Sequence, residues 1–495
     1  MSDTSTGTAP TVVGADTMGW DSVFAVTAHK LNQAIVSRNE YPARLSFQQV
    51  ADPDAFPPVV TELEADFGPW QICKGGSSGL IRFQTPMSNI RGKCTGYQQG
   101  EIIDFQVSDF TPLIEIRLEL LGLVAGEIAS SDKPPAQGTK RQKLVARTTT
   151  DTTKEAAVTL KTINWDVVHI TPQQPETAAL KNGLEPAFRA WFNKHLSEFK
   201  HIFTLLDLYD RADTGQWSFL KPHHASYAYV DRGSLDTSLL AMLCMTSDNP
   251  PPDQQEVSPF AIPDGAEAGF LLSAKRFFAD MMLPMFEKFW KHSSPADFEV
   301  DADGLGISLK SGKRIQLENV PKGGKYTPYL TKFTIRLEHD VLRTDSYTET
   351  TISPGIVADC HSIHWNTIVL GEGKSGQTLK FIDVKEGSVD HDIKNSETID
   401  EIDHWMGVAG MIGACMLIVI GGFMVLAVGG AILFLLTGLM PLTVYILDRV
   451  HHDDSPDIDM MMTNAVAPFE WTDSGDFKLS SAGLSNALQM GGTLE

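Results

Sequence analysis

The chain has 495 residues, 42% apolar and 21% charged, which excludes wholesale disorder and collagen-like repeats and suggests two or three domains. Its 62 acidic residues outnumber 40 basic ones, a formal charge of −22 that excludes nucleic acid as a partner, because phosphate binding needs a basic surface. The five cysteines, Cys73, Cys94, Cys244, Cys360 and Cys415, are odd in number and form no CxxC pair, so neither a disulfide framework nor a zinc ribbon is expected.

In chain order, residues 1–18 read as a loose Thr/Gly/Ala-rich tail with no basic or apolar region of a cleaved secretory signal. In GWDSVFAVTAHKLNQAIVSR the positions Trp20, Val23, Phe24, Leu31 and Ile35 share one face at helical spacing, which predicts a helix. Strands follow: Ile81–Phe83 after the turn signal Gly75–Gly79, then Ile114, Ile116, Leu118 and Leu120 alternating with Glu115, Arg117 and Glu119. That alternation predicts a strand with one apolar and one wet face. Residues 126–154 read as a polar surface excursion with ragged strands. A second helix is predicted over 184–203 from the stripe Leu184, Phe188, Trp191, Phe192, Leu196, Phe199 and Phe203. Trp217–Leu220 and Ser226–Val230 read as strands, and residues 247–259, with three consecutive prolines, as a linker.

The order then repeats. A third helix is predicted over about 268–291, with Phe270, Phe277, Phe278, Met281, Met285 and Phe289 along one face and Pro284 as a kink. Strands follow, in which Phe333, Ile335 and Leu337 alternate with Thr334, Arg336 and Glu338. The fourth helical region is Trp405–Leu447, and the strand-like PFEWTDSGDFKL closes the chain. The two halves thus share a helix–strands–helix–strands pattern, offset by about 250 residues, without detectable identity. Long apolar helices and half-wet strands bury their faces together when a curved antiparallel sheet wraps a helix. A loose wrap leaves a tubular apolar cavity of the kind that accepts acyl chains.

The opening GWDSVFAVTAHKLNQAI resembles that of the OrfX and forty-seven-kilodalton accessory proteins of clostridial neurotoxin gene clusters. So do Trp70 with Gly75–Gly79 and Pro86, SYAYV at Ser226–Val230, the segment Phe270–Phe289, and the closing PFEW, in that order. The resemblance implies an α+β fold of two tandem tubular lipid-binding (TULIP) domains, each a long helix wrapped by a curved antiparallel sheet. On that reading 19–246 is the first domain, 247–259 the linker and 260–495 the second domain. The family implies a role beside bacterial toxins, insecticidal ones included, with lipid or membrane surfaces and sister proteins as partners. It implies neither catalysis nor a cofactor. Such a protein stays in the bacterial cytoplasm until release and then works outside the cell at host membranes. The long glycine-rich apolar run and the polar insertion near 130–150 depart from the family pattern.

The run Trp405–Leu447 carries no charge over 43 residues and includes eight glycines and Pro441. As one helix it would reach about 65 Å, or fold at Gly429-Gly430 into two spans of ~20 residues. It reads either as a hairpin buried inside the protein or as a membrane-inserting segment, with Trp405, Ile418, Phe423, Leu426, Phe434 and Leu436 as contact residues. Acidic residues and histidines flank it: Asp400, Glu401, Asp403 and His404 before, Asp448, His451, His452, Asp453 and Asp454 after. Protonating them in acid lowers the cost of approaching lipid, so insertion is expected to be acid-enhanced. Phe277, Phe278, Met281, Met282, Met285 and Phe289 are the candidates for lining an acyl groove, with ordinary core packing as the alternative.

Other signals fail. Glu299, Asp301, Asp303 and Gly304 open like a calcium loop, but position twelve is Lys310 where a bidentate Glu is needed. His361 with His364, and His451 through Asp454, have no zinc spacing. GEGKSGQT lacks the first glycine of a phosphate loop and reads as a hairpin turn between Val369 and Leu379. His195 reads as a packing residue, and no catalytic or metal residue is assigned.

Overall fold

Six consecutive buried residues, Ser22–Thr27, form a strand where the apolar spacing predicts a helix. The strand is hydrogen-bonded on both edges, to Leu239–Met245 on one side and Ala268–Ser273 on the other. Covered on both faces, it has no polar alternation to betray it, and a short apolar run of this kind reads equally as helix. The helix begins only at Ala28, where the Thr27 hydroxyl accepts from the Lys30 amide, and it runs to Arg38. The third predicted helix needs the same correction. Ala268–Ser273 is a strand, Ser273 caps by accepting from the Arg276 amide, and the helical segment begins at Ala274. Phe270 is therefore a strand residue, paired with Phe24.

The computed structural model describes residues 14–52, 59–95, 102–123, 139–148, 156–163, 169–171, 177–209, 218–246, 248–286, 290, 292–317, 326–373, 376–395, 406, 408–412, 466 and 468–495. Among them the protein is rich in antiparallel sheet and poor in helix. The largest sheet has 13 strands among the described residues. One end of it runs His224–Val230, Leu239–Met245, Ser22–Thr27, Ala268–Ser273, Ala487–Leu494 and, at the edge, Phe477–Leu484. That order is palindromic about the Ser22–Thr27/Ala268–Ser273 pair.

The symmetry extends to single residues. Phe24 faces Phe270, Thr27 caps as Ser273 does, and Asp21 and Glu267 each give a carbonyl to the opposite cap residue's amide. In every pair the second number exceeds the first by 246. The repeat expected from the sequence is therefore a strand–cap–helix unit. At the pairing, Gly269 lies where a Cβ would sit 2.2 Å from the Ala261 carbonyl oxygen, so the chains meet at a distance only glycine allows.

A five-stranded sheet, ordered Ile170–Thr171, Ile102–Val107, Met87–Thr95, Val59–Phe67, Arg44–Asp52, faces the helix Thr177–His195. That helix ends earlier than predicted. Leu196–Glu198 is one 3-10 turn, and Phe203 lies on the strand Ile202–Tyr209. Trp70, Phe83, Phe192, Phe199 and Phe203 nevertheless form one ring cluster, because the chain turns back under the helix. A seven-stranded sheet of the second half ends in the long strands Val341–Ser353, Ile356–Gly373 and Gly376–Asn395. The expected hairpin turn lies between Gly373 and Gly376, which pair. Ser218–Leu220, predicted as strand, is a 3-10 turn.

One short strand crosses between the halves. Phe469–Trp471, beyond the apolar run, pairs with Ile202–Tyr209 and adds an edge to the large sheet. Its rings meet Phe24, which also touches Phe477. The buried Arg141 makes a bidentate bond to Asp207 and reaches Glu470 at 3.6 Å. The hydrogen bond to Asp207 raises the Arg141 pKa, so the guanidinium stays charged.

Candidate functional site

Two places in the fold combine open space or buried polarity with residues from several elements. The first is a groove of about 880 Å³ between the helix Thr177–His195 and the five-stranded sheet. Ala187, Ala190, Trp191, Lys194 and His195 line it from the helix, and Phe47, Leu63 and Gly92 from the sheet. The small helix residues Ala187 and Ala190 leave this space. Gly92 has to be glycine because the Phe105 ring occupies the position of its Cβ. His195 lies flat on Trp191, with ring centroids 4.7 Å apart, and meets Glu198 at 2.7 Å, the packing role the sequence suggested. Arg91, Lys93 and Lys194 line the groove together with Glu62, Glu64 and Asp104, so its charge is balanced. The volume suits a small molecule or a segment of another chain.

The second place is the seam between the halves. Asp21, nearly buried, accepts from the Thr246 amide at 2.9 Å and from its hydroxyl at 3.2 Å. Arg276 stands 3.8 Å from Asp21, donates to the Thr246 hydroxyl and carbonyl, and pairs with Asp280 at 3.1 Å. Burial, outweighing Arg276, raises the Asp280 pKa. The equivalent pair by the 246-residue offset is Lys30 with Glu267, 3.6 Å apart, and Lys30 also donates to the Leu494 carbonyl. Each basic residue, three places after its cap, thus reaches across to the acid that precedes the other strand.

Four of the six predicted acyl-lining residues are buried in the core. Phe277, Phe278, Met281 and Met282 are buried in a six-residue π-helical stretch, and Leu283–Met285, with Pro284, narrows to a 3-10 turn. Beyond it Phe286, Trp290, Phe298 and Phe333 pack ring against ring, with centroids 4.7 to 6.3 Å apart. Met285 is described by its backbone alone, and Phe289 lies outside the described residues. The membrane candidates Trp405, Ile418, Phe423, Leu426, Phe434 and Leu436 also lie outside them. Of the apolar run only 406 and 408–412 are described. Ala409 and Ile412 are fully buried there, and the Ala409 carbonyl faces the Cys360 thiol.

The remaining candidates resolve as structure. Asp301 and Asp303 pair with Arg336, and the Asp303 carboxylate also accepts from the Leu305 amide, so the acidic turn is closed on itself. His361 pairs with Asp345 on the outer face of its strand, while His364 is buried on the inner face, so the two cannot share an ion. His451 through Asp454 lie outside the described residues. Glu115, read as a wet position, is buried. Burial raises its pKa, but hydrogen bonds from Lys161 and Arg82 outweigh that and hold it below the usual range.

The profile of the OrfX-like family, described as Protein OrfX2/OrfX3/P47, matches residues 17–492. The chain belongs to the OrfX/P47 family. Among its relatives, Protein OrfX3 of Paraclostridium bifermentans is 29% identical, the match covering 97% of this chain and 98% of the relative. Protein OrfX3 of Clostridium botulinum (strain Kyoto / Type A2) is 26% identical over 97% and 98% of the two chains. The solved structure of P47 from Clostridium botulinum A2 aligns over 97% of this chain and 99% of its own with a TM-score of 0.59 at 15% identity. This OrfX/P47 chain therefore shares the P47 fold, and its family is one of toxin-cluster accessory proteins.

Proposed function

We propose that this OrfX/P47 protein is a non-enzymatic docking subunit of a bacterial toxin assembly, built as two tandem TULIP-like domains over 19–246 and 260–495 with filled interiors. One observation carries the reading: Phe277, Phe278, Met281 and Met282, the residues expected to line an acyl channel, are buried in the hydrophobic core, Phe277 edge-on to Phe278. A filled lobe offers its outside, and its partners are the toxin or sister proteins of the same cluster. Lipid extraction of the purified protein followed by mass spectrometry tests this. No stoichiometric acyl ligand is expected, and one acyl lipid per chain would replace docking by lipid carriage.

A second reading, membrane docking through Trp405–Leu447, is favoured by the 43 uncharged residues and their titratable flanks. Flotation with anionic liposomes is expected to carry more protein in acid than at neutral pH. Recovery in the pellet at both values would dismiss it.

A further inference from the structure

The inner face of the second half's long strands is polar where a core is expected to be apolar. On Pro328–Glu338 the buried residues are Leu330, Phe333, Ile335 and Leu337. On the next two strands Leu342, Ile356, Ala358 and Ile368 are buried at the ends, and between them the buried residues are Thr344, Ser346, Thr348 and Thr350, then Cys360, Ser362, His364 and Asn366. Part of this wall satisfies itself: the Ser346 and Ser362 hydroxyls bond at 2.6 Å, while the Thr348 hydroxyl between them and the strand's far end is unpaired. One corner does not. Thr344 pairs directly across from His364, and Asn366 follows two places on, on the same face. The Thr344 hydroxyl, His364 Nε2 and Asn366 Oδ1 are buried without a hydrogen-bond partner, each on a side chain at most 6% exposed. The Thr350 hydroxyl at the far end of the strand is likewise unpaired.

We propose that Thr344, His364 and Asn366 form a site for one uncharged hydroxyl-bearing guest, an ordered water or one end of a small polyol. Three unpaired polar atoms on one face, two of them directly across a strand pair, match the number of partners a buried water uses. The site is neutral in character. Burial lowers the His364 pKa, and the Asp383 carboxylate already accepts from Asn366 Nδ2 at 2.5 Å. Three neutral groups and the single carboxylate bonded to Asn366 match neither an anion nor a divalent metal. A hydroxyl both donates and accepts, which serves the Asn366 oxygen, either tautomer of His364, and the Thr344 hydroxyl together.

The test is Thr344→Val in the full chain, which keeps the shape of the side chain and removes only its hydroxyl. If the hydroxyl holds a guest, the thermal midpoint falls, on the order of 2 °C. If the hydroxyl has no partner, removing it relieves a buried polar group, and an unchanged or raised midpoint overturns the proposal. Two further readouts separate the sources of a fall. Loss of one long-lived water by 17O magnetic relaxation dispersion assigns water. A saturable rise of the midpoint with glycerol in the wild type, absent from the variant, assigns a polyol. A fall accompanied by neither change also overturns the proposal, since the hydroxyl would then stabilise without a guest.

Discussion

Asp21 and Glu267 occupy equivalent places at the joint between the halves, yet their removal is expected to cost very different amounts. The Asp21 side chain is 8% exposed and Arg276 15%, and Asp21 also accepts two hydrogen bonds from Thr246. Replacing it by Ala leaves the Thr246 amide without its acceptor and a buried guanidinium with Asp280 as its remaining carboxylate. Removing one member of a buried pair costs about 3–5 kcal/mol. Glu267 is 42% exposed and meets a partly exposed Lys30 at 3.6 Å, so screening by water limits Glu267→Ala to about 1 kcal/mol or less. Urea unfolding followed by tryptophan fluorescence reads both, with Trp20 beside Asp21 as a buried reporter. A loss for Asp21→Ala no greater than for Glu267→Ala would refute the reasoning that burial, and not the presence of an ion pair, sets the strength of the joint.

Two further outcomes follow from the same region. Asp280 has a raised pKa in the folded protein, so its proton favours folding: stability from this group is fully present in acid and is lost as pH rises through the folded pKa. Asp280→Asn is therefore expected to raise the unfolding midpoint at neutral pH and to match the wild type in acid, and an unchanged gap across a pH series would contradict this. Gly269→Ala drives a Cβ into the Ala261 carbonyl, and a loss of about 1–3 kcal/mol is expected in the same urea assay, against which a wild-type midpoint would count.

Half-wet strands were the most legible part of the sequence. Phe333, Ile335 and Leu337 alternate with polar neighbours, and the structure buries the first set as the pattern predicts. Fully buried strands were not legible, because Ser22–Thr27 and Ala268–Ser273 have no wet face, and their apolar letters run straight into the following helices. The clue lay in Thr27 and Ser273, cap residues standing mid-pattern where a continuous helix would have little use for them. Charge misled at Glu115, whose partners Arg82 and Lys161 come from neighbouring strands and cannot be paired by spacing alone. The seam at Asp21 and Arg276 was hidden for the same reason, since its members are more than two hundred positions apart. The hydroxyl wall was visible as the alternation Thr344, Ser346, Thr348, Thr350, but a polar alternate set reads as the solvent side of a strand. Only the coordinates turn that face inward.

The short strand Phe469–Trp471 has a consequence for how the chain is made. It completes an edge of the N-terminal half, and Thr204 bonds to the Glu470 carbonyl 266 positions away. A ribosome has to deliver 266 residues beyond Thr204 before that edge can close. Until then the strand Ile202–Tyr209 has its last neighbour missing, an open border of the sort that invites wrong pairing. The maturing chain thus depends on Phe469–Trp471 to finish what its first half began, and removing that segment would reopen a border far from the cut.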